Sequence, residues 1–259
     1  MGSLILAIVA LPPAVARHGE RTALVDGHHV SFRVVGSGRP AVVMLSGLGD
    51  GMATFQDVAA ELGKSRTVII YDRAGYGGSE PGNGPRDAAA AERELSGLLA
   101  QSGVAGPFVL SGHSLGGLFA EYYAAKHPDQ TAGLILEESR PADFSRQCMA
   151  TAGAGMCLPP AWLVWFMPKG ARDEAAALAS VMEQVEGAAP LKNKPVLVLS
   201  RPGKATSSFD TLWTKAQSDL AARYPGSRHL TAEAGGHYVH RDQREWFLAS
   251  VQAFLSQLS

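Results

Sequence analysis

Phe108-Val109-Leu110-Ser111-Gly112-His113-Ser114-Leu115-Gly116-Gly117 passes from a short apolar run, through a G-x-S-x-G turn, straight into a stretch with helical spacing. A strand that enters such a turn must hold its central residue in a strained conformation, with the side chain exposed at the carboxyl edge of a sheet. The glycines on either side permit the close backbone approach that this requires. The stretch that follows has Leu115, Leu118, Phe119, Tyr122 and Lys126 at three- and four-residue spacing and stops at His127-Pro128. Its N-terminus presents a positive dipole end and the amide of Leu115 to the space above the turn. Ser114 is therefore the candidate nucleophile, and the Leu115 amide a candidate oxyanion donor.

Outward from this turn, buried strands and helices alternate. Residues 41–45, 67–71, 134–136, 196–199 and 229–231 are short apolar or β-prone runs bounded by turn residues, as expected of strands covered on both faces. Helical stretches cover 55–62, 87–101, 210–223 and 244–258. Near the start, 22–25 and 30–35 flank Asp26-Gly27-His28-His29 and predict a hairpin with both histidines in its turn. Such alternation predicts an α/β fold with a mostly parallel central sheet and helices on both faces. It breaks once, over 141–191, where Trp162, Trp165, Phe166 and Met167 precede a helical stretch near 174–186. An insertion of this length predicts a cap or lid over a site. The expected organisation is a core of 19–140 and 192–259, a cap at 141–191 and an N-terminal extension at 1–18.

Composition narrows the partners. With 46% hydrophobic and 18% charged residues, the chain has apolar material for a large core and little surface charge. Twenty-three basic residues against 24 acidic ones leave no field for a nucleic-acid backbone, and no apolar run reaches the length of a membrane span. A small molecule is the expected partner, and oligomeric state is not legible. Residues 4–11 are apolar and precede Pro12-Pro13 and Ala14-Val15-Ala16, the form of a signal peptide with its cleavage site. That predicts a periplasmic or secreted protein, although no basic residue precedes the apolar run; a buried first strand in a cytoplasmic protein is the other reading. Export would let Cys148 and Cys157, the two cysteines, pair.

A serine needs a positioned base to be nucleophilic at neutral pH. Ala234-Gly235-Gly236-His237-Tyr238-Val239-His240 supplies it between the last strand and the last helix. Two glycines let His237 bend toward the sheet edge, whereas His240 lies nearer the helix. No further ligand cluster completes a metal site with them. His113 is committed to the turn and is expected to pack rather than act as base. Ser46-Gly47-Leu48-Gly49-Asp50-Gly51 follows an earlier strand, and the Leu48 amide is the second candidate oxyanion donor. The glycine spacing there does not fit a dinucleotide-binding turn, since Met52 or Thr54 falls where the third glycine belongs.

On these residues, together with Tyr71-Asp72-Arg73-Ala74-Gly75-Tyr76-Gly77-Gly78-Ser79, the chain resembles the α/β-hydrolase fold superfamily from about residue 19 onward. Many relatives carry His-Gly where this chain has Ser46-Gly47, a change that keeps the backbone donor. The resemblance implies a cofactor-independent serine hydrolase with an inserted cap. It would cleave an ester-type acyl bond through an acyl-enzyme, with lactonase, thioesterase or amidase chemistry, or a ligand receptor without turnover, as alternatives. It also implies a third member between Ser114 and His237. The usual turn, Ser200-Arg201-Pro202-Gly203-Lys204, has no carboxylate. Some relatives place the acid after the strand that follows the elbow helix, where this chain has Glu138; Asp210 is the alternative, then Glu137 or Asp143.

Overall fold

The computed structural model describes residues 19–152, 161–203 and 208–258. The expected extension at 1–18 and Cys157 lie outside these residues. Eight strands form one sheet in the order β1-β2-β4-β3-β5-β6-β7-β8. They are β1 (Arg21–Val25), β2 (His28–Val35), β3 (Ala41–Leu45), β4 (Val68–Tyr71), β5 (Phe108–His113), β6 (Thr131–Glu137), β7 (Val196–Ser200) and β8 (Arg228–Thr231). β2 runs antiparallel to β1 and β4, and β3 to β8 are parallel.

Alternation along each strand builds two cores. Val43, Leu45, Leu134 and Leu136 face one layer, which contains α2 (Ala88–Ser102), α3 (Leu115–Lys126) and the buried side of α6 (Lys169–Gly187). Val42, Met44 and Ile135 face the other, made by α1 (Gln56–Leu62) and α9 (Arg244–Leu255). Burial on both faces is why these strands read as unbroken apolar runs. Asp87 caps α2 by accepting from the Ala90 amide.

Two features differ from the sequence expectation. His28 and His29 belong to β2, because the two-residue turn is Asp26-Gly27 alone, with both residues at positive φ. His28 is buried and its Nε2 lies 3.1 Å from Glu94 on α2. Between β6 and β7 the chain forms α4 (Phe144–Ala152) and α5 (Ala161–Trp165) as well as α6. α4 packs through Phe144 and Cys148 against Trp213 and Ala216 of α7 (Ser208–Ala222). Cys148 is disulfide-bonded.

The strand order changes direction at β3: β4 lies on one side and β5 on the other. Ligands of open α/β sheets bind at the carboxyl ends of strands beside such a reversal. Leu45 pairs with Gly112, and His113 with Glu137, so the turns after β3, β5 and β6 emerge side by side.

Candidate active site

Ser114 occupies the sharp turn between β5 and α3 with φ 53° and ψ −118°, a conformation costly for a residue with a Cβ. Three backbone bonds over-determine it: Ser114 N to Glu137 O at 3.1 Å, and Gly117 N and Arg140 N to Ser114 O at 3.1 Å each. A Cβ on Gly116 would sit 2.2 Å from the carbonyl oxygen of Leu45, so only glycine lets α3 start against the end of β3. The first amides of α3, Leu115 among them, have no partner within the helix.

Glu138 follows β6 at positive φ (44°) and is fully buried. Its Oε1 accepts from the Arg201 amide at 2.9 Å. Its Oε2 accepts from Trp213 Nε1 at 2.9 Å and faces His237 Nδ1 at 3.2 Å and Arg201 Nε at 3.3 Å. Asp210, the sequence alternative, lies in the first turn of α7 and pairs with Arg201 instead. Asp143 accepts from Gln147. The structure thus brings His237 to Glu138 among the four candidate acids.

His237 sits on the loop between β8 and α8 (Val239–Asp242), and its side chain is 40% exposed. Asp242 steadies that loop by accepting from the Gly236 amide at 2.6 Å. His113 holds it from below: its Nε2 lies 2.8 Å from the His237 carbonyl oxygen, which can only accept, so Nε2 carries the hydrogen. Burial pushes the His113 imidazole down to about 4, keeping it neutral. His240 is directed away from the site. Its Nδ1 contacts both Glu137 oxygens at 2.8 and 2.9 Å, and its Nε2 lies 3.2 Å from Thr54 Oγ1. Burial opposes the Glu137 charge, yet the His240 hydrogen bond and charge hold its carboxyl below the usual range. Glu137, at the end of β6, and Glu138, in the turn after it, therefore serve different histidines.

The turn after β3 passes directly over the elbow. A Cβ on Gly47 would lie 2.9 Å from His113 Nδ1 and 3.3 Å from Ser114 Cβ, so glycine is required at this approach. Ser46 donates through Oγ to the Asp50 carbonyl at 2.7 Å. Sequence reasoning missed what lies beneath. Arg73, fully buried after β4, donates through Nη1 to Ser46 O at 2.6 Å and through Nη2 to Gly47 O at 3.0 Å. The same guanidinium meets Glu174 of α6 twice, Nε to Oε1 at 2.6 Å and Nη2 to Oε2 at 2.9 Å. Tyr76 donates to Glu174 Oε2 at 2.6 Å and accepts from the Gly49 amide at 3.2 Å. Burial works against the Arg73 charge, but Glu174 outweighs it and holds the guanidinium above its ordinary range. A cleft of about 590 Å³ opens beside Gly49, Met52, Tyr76 and Pro168.

A model of the alpha/beta hydrolase fold matches residues 40–157, which include Leu48, Ser114 and Glu138. The chain has the α/β-hydrolase fold. Its sequence is 26% identical over 228 residues to the uncharacterized protein YqjL of Bacillus subtilis, covering 86% of this chain and 87% of that one. The fold is similar to a thermophilic esterase from Thermogutta terrifontis, with TM-score 0.69 and 21% identity over 92% of this chain and 98% of that one. It is also similar to the enol-lactonase of Burkholderia xenovorans, with TM-score 0.64 and 22% identity over 91% and 100%. Among the described residues, no helix is long and apolar enough to cross a membrane, and no three metal-binding side chains cluster.

Proposed function

We propose that this hydrolase-fold protein cleaves ester-type acyl bonds through a covalent acyl-enzyme. The observation that carries the reading is His237 Nδ1 at 3.2 Å from the buried Glu138 Oε2, on the loop pinned to His113, the residue before the strained Ser114. Glu138 fixes the imidazole with hydrogen on Nδ1, which leaves Nε2 as the base. Ser114 Oγ attacks the acyl carbon as its proton passes to His237 Nε2, and the amides of Leu48 and Leu115 receive the negative oxygen. Collapse expels the alcohol, which takes the proton from His237. Water then attacks the acyl-serine by the same route, releasing a carboxylic acid and restoring Ser114.

Residues 141–191 act as the cap of this site. Trp162, Trp165 and Phe166 of that segment are 67%, 73% and 80% exposed, which favours a substrate with an apolar acyl or alcohol group. Cys148 in a disulfide fits an oxidising compartment. Esterase and enol-lactonase chemistry, named for two structurally similar proteins, share these steps and differ in whether the leaving alcohol stays tethered to the acid. The test is hydrolysis of p-nitrophenyl esters of graded chain length beside lactones, with Ser114→Ala as control. Turnover that Ser114→Ala abolishes supports the reading; binding without turnover refutes it.

A further inference from the structure

We propose that Glu174, on the cap helix α6, is a positioning residue for the oxyanion site, acting on the Leu48 amide through Arg73 and Tyr76. This inference rests on the hydrolase reading above. Leu48 is gripped on both sides. Before it, Arg73 Nη1 and Nη2 hold the carbonyl oxygens of Ser46 and Gly47; after it, the Tyr76 hydroxyl holds the Gly49 amide. Both holders end on one carboxylate, that of Glu174, which is 101 residues from Arg73 in sequence and 1% exposed.

The geometry of the peptide bond makes the grip directional. Gly47 C=O and Leu48 N–H belong to one planar trans unit and point in opposite directions. A guanidinium fixed on the carbonyl therefore aims the amide hydrogen away from Arg73, and it also polarises the unit so that the amide donates more strongly. Gly47 lies against Ser114 and His113, which places that amide beside the nucleophile. Arg73 alone could not keep this aim. Its guanidinium carries five donors in one plane, and the two contacts to Glu174, at 2.6 and 2.9 Å, lock the plane that presents the remaining N–H groups to the turn. A second tie joins the same elements, with the Gly170 amide of α6 donating to the Gly75 carbonyl at 3.2 Å. Seating of the cap and aim of the oxyanion donor are thus one event.

The experiment compares Glu174→Gln, which keeps shape and acceptor but removes the charge, with Val181→Ala, a cavity in the same helix away from the network. For both, kcat and KM for p-nitrophenyl acetate, the rate of fluorophosphonate addition to Ser114 and the melting temperature are measured. Glu174→Gln is expected to lower kcat about 10- to 100-fold, within what losing one oxyanion donor costs, with KM changed by less than about threefold and labelling slowed in step. Val181→Ala is expected to lower the melting temperature while kcat stays within about twofold. A folded Glu174→Gln with kcat within twofold of wild type overturns the inference, as does an equal kcat loss in Val181→Ala. Should Glu174→Gln not fold, Tyr76→Phe decides. It removes only the hydroxyl between Glu174 and Gly49, and unchanged kcat there overturns the inference, whereas a loss of about fivefold supports it. Wild-type protein that neither hydrolyses esters nor takes the label on Ser114 overturns the hydrolase reading and this inference together. Labelled wild type beside an indifferent Glu174→Gln overturns this inference alone.

Discussion

Replacing Glu138 by Gln exchanges one carboxylate oxygen for an NH2 group and has no good orientation. With nitrogen at the Oε2 position, a donor faces Trp213 Nε1, itself a donor at 2.9 Å, and His237 Nδ1 at 3.2 Å. With nitrogen at the Oε1 position, it faces the Arg201 amide at 2.9 Å. In the first arrangement His237 can satisfy Nδ1 only by accepting, which moves its hydrogen to Nε2 and removes the base of the proposed mechanism. In the second, the charge that stabilises the imidazolium is gone while the tautomer survives. The two cases bracket the expected loss of kcat at about 10² to 10⁴, the upper end corresponding to the wrong tautomer. KM should stay within about threefold, because the acid touches the histidine and not the substrate. The assay is steady-state ester hydrolysis at pH 8 by Glu138→Gln and Asp210→Asn, with near-UV circular dichroism to verify packing. Near-normal kcat in a folded Glu138→Gln, with collapse in Asp210→Asn, would refute the reasoning and move the acid to α7.

A fluorophosphonate should add to Ser114 in wild type and fail to add in Ser114→Ala, read by intact mass, since the groups that activate the serine toward carbon in the proposed mechanism would also activate it toward phosphorus. His113, held near 4 against an unfolded value of 6.5, contributes stability that is full above pH 6.5 and lost as pH falls toward 4. The drop amounts to about 3 kcal/mol over that window, and a melting curve in which His113→Asn flattens the dependence checks it. Gly116→Ala should cost about 3 kcal/mol or more, because its methyl would meet the Leu45 carbonyl oxygen at 2.2 Å and neither backbone can yield; urea unfolding measures it. Thiol titration of denatured, unreduced protein from an oxidising host should find no reactive Cys148.

Much of the fold was legible because its information is local. The runs at 41–45 and 196–199 are apolar at every position, since both faces of those strands are covered, and G-x-S-x-G between a strand and a helix permits few backbone paths. The β1–β2 turn was misplaced by two residues because histidine carries little strand signal, and only Glu94, far away on α2, explains why His28 sits inside. The helices α4 and α5 went unread for a similar reason: their packing partners lie on α7 and α6. At the site, Ser114, His237 and Glu138 stand beside recognisable turns, whereas Glu174 stands in an ordinary helical stretch. Nothing within twenty residues of it hints at Arg73, because the pairing exists only once α6 has met the turn after β4.

The turns that carry Leu48, Ser114, Glu138 and His237 follow strands β3, β5, β6 and β8, which are synthesised in that order. A ribosome-bound chain that has completed the turn at Ser114 still lacks His237, and more than a hundred residues must follow before it arrives. The chemistry proposed above is thereby withheld from every shorter nascent product. Enzymatic turnover becomes a reporter of translation past residue 237 and of β8 docking on β7, so a split-protein assay cut between β7 and β8 would read reassembly as activity.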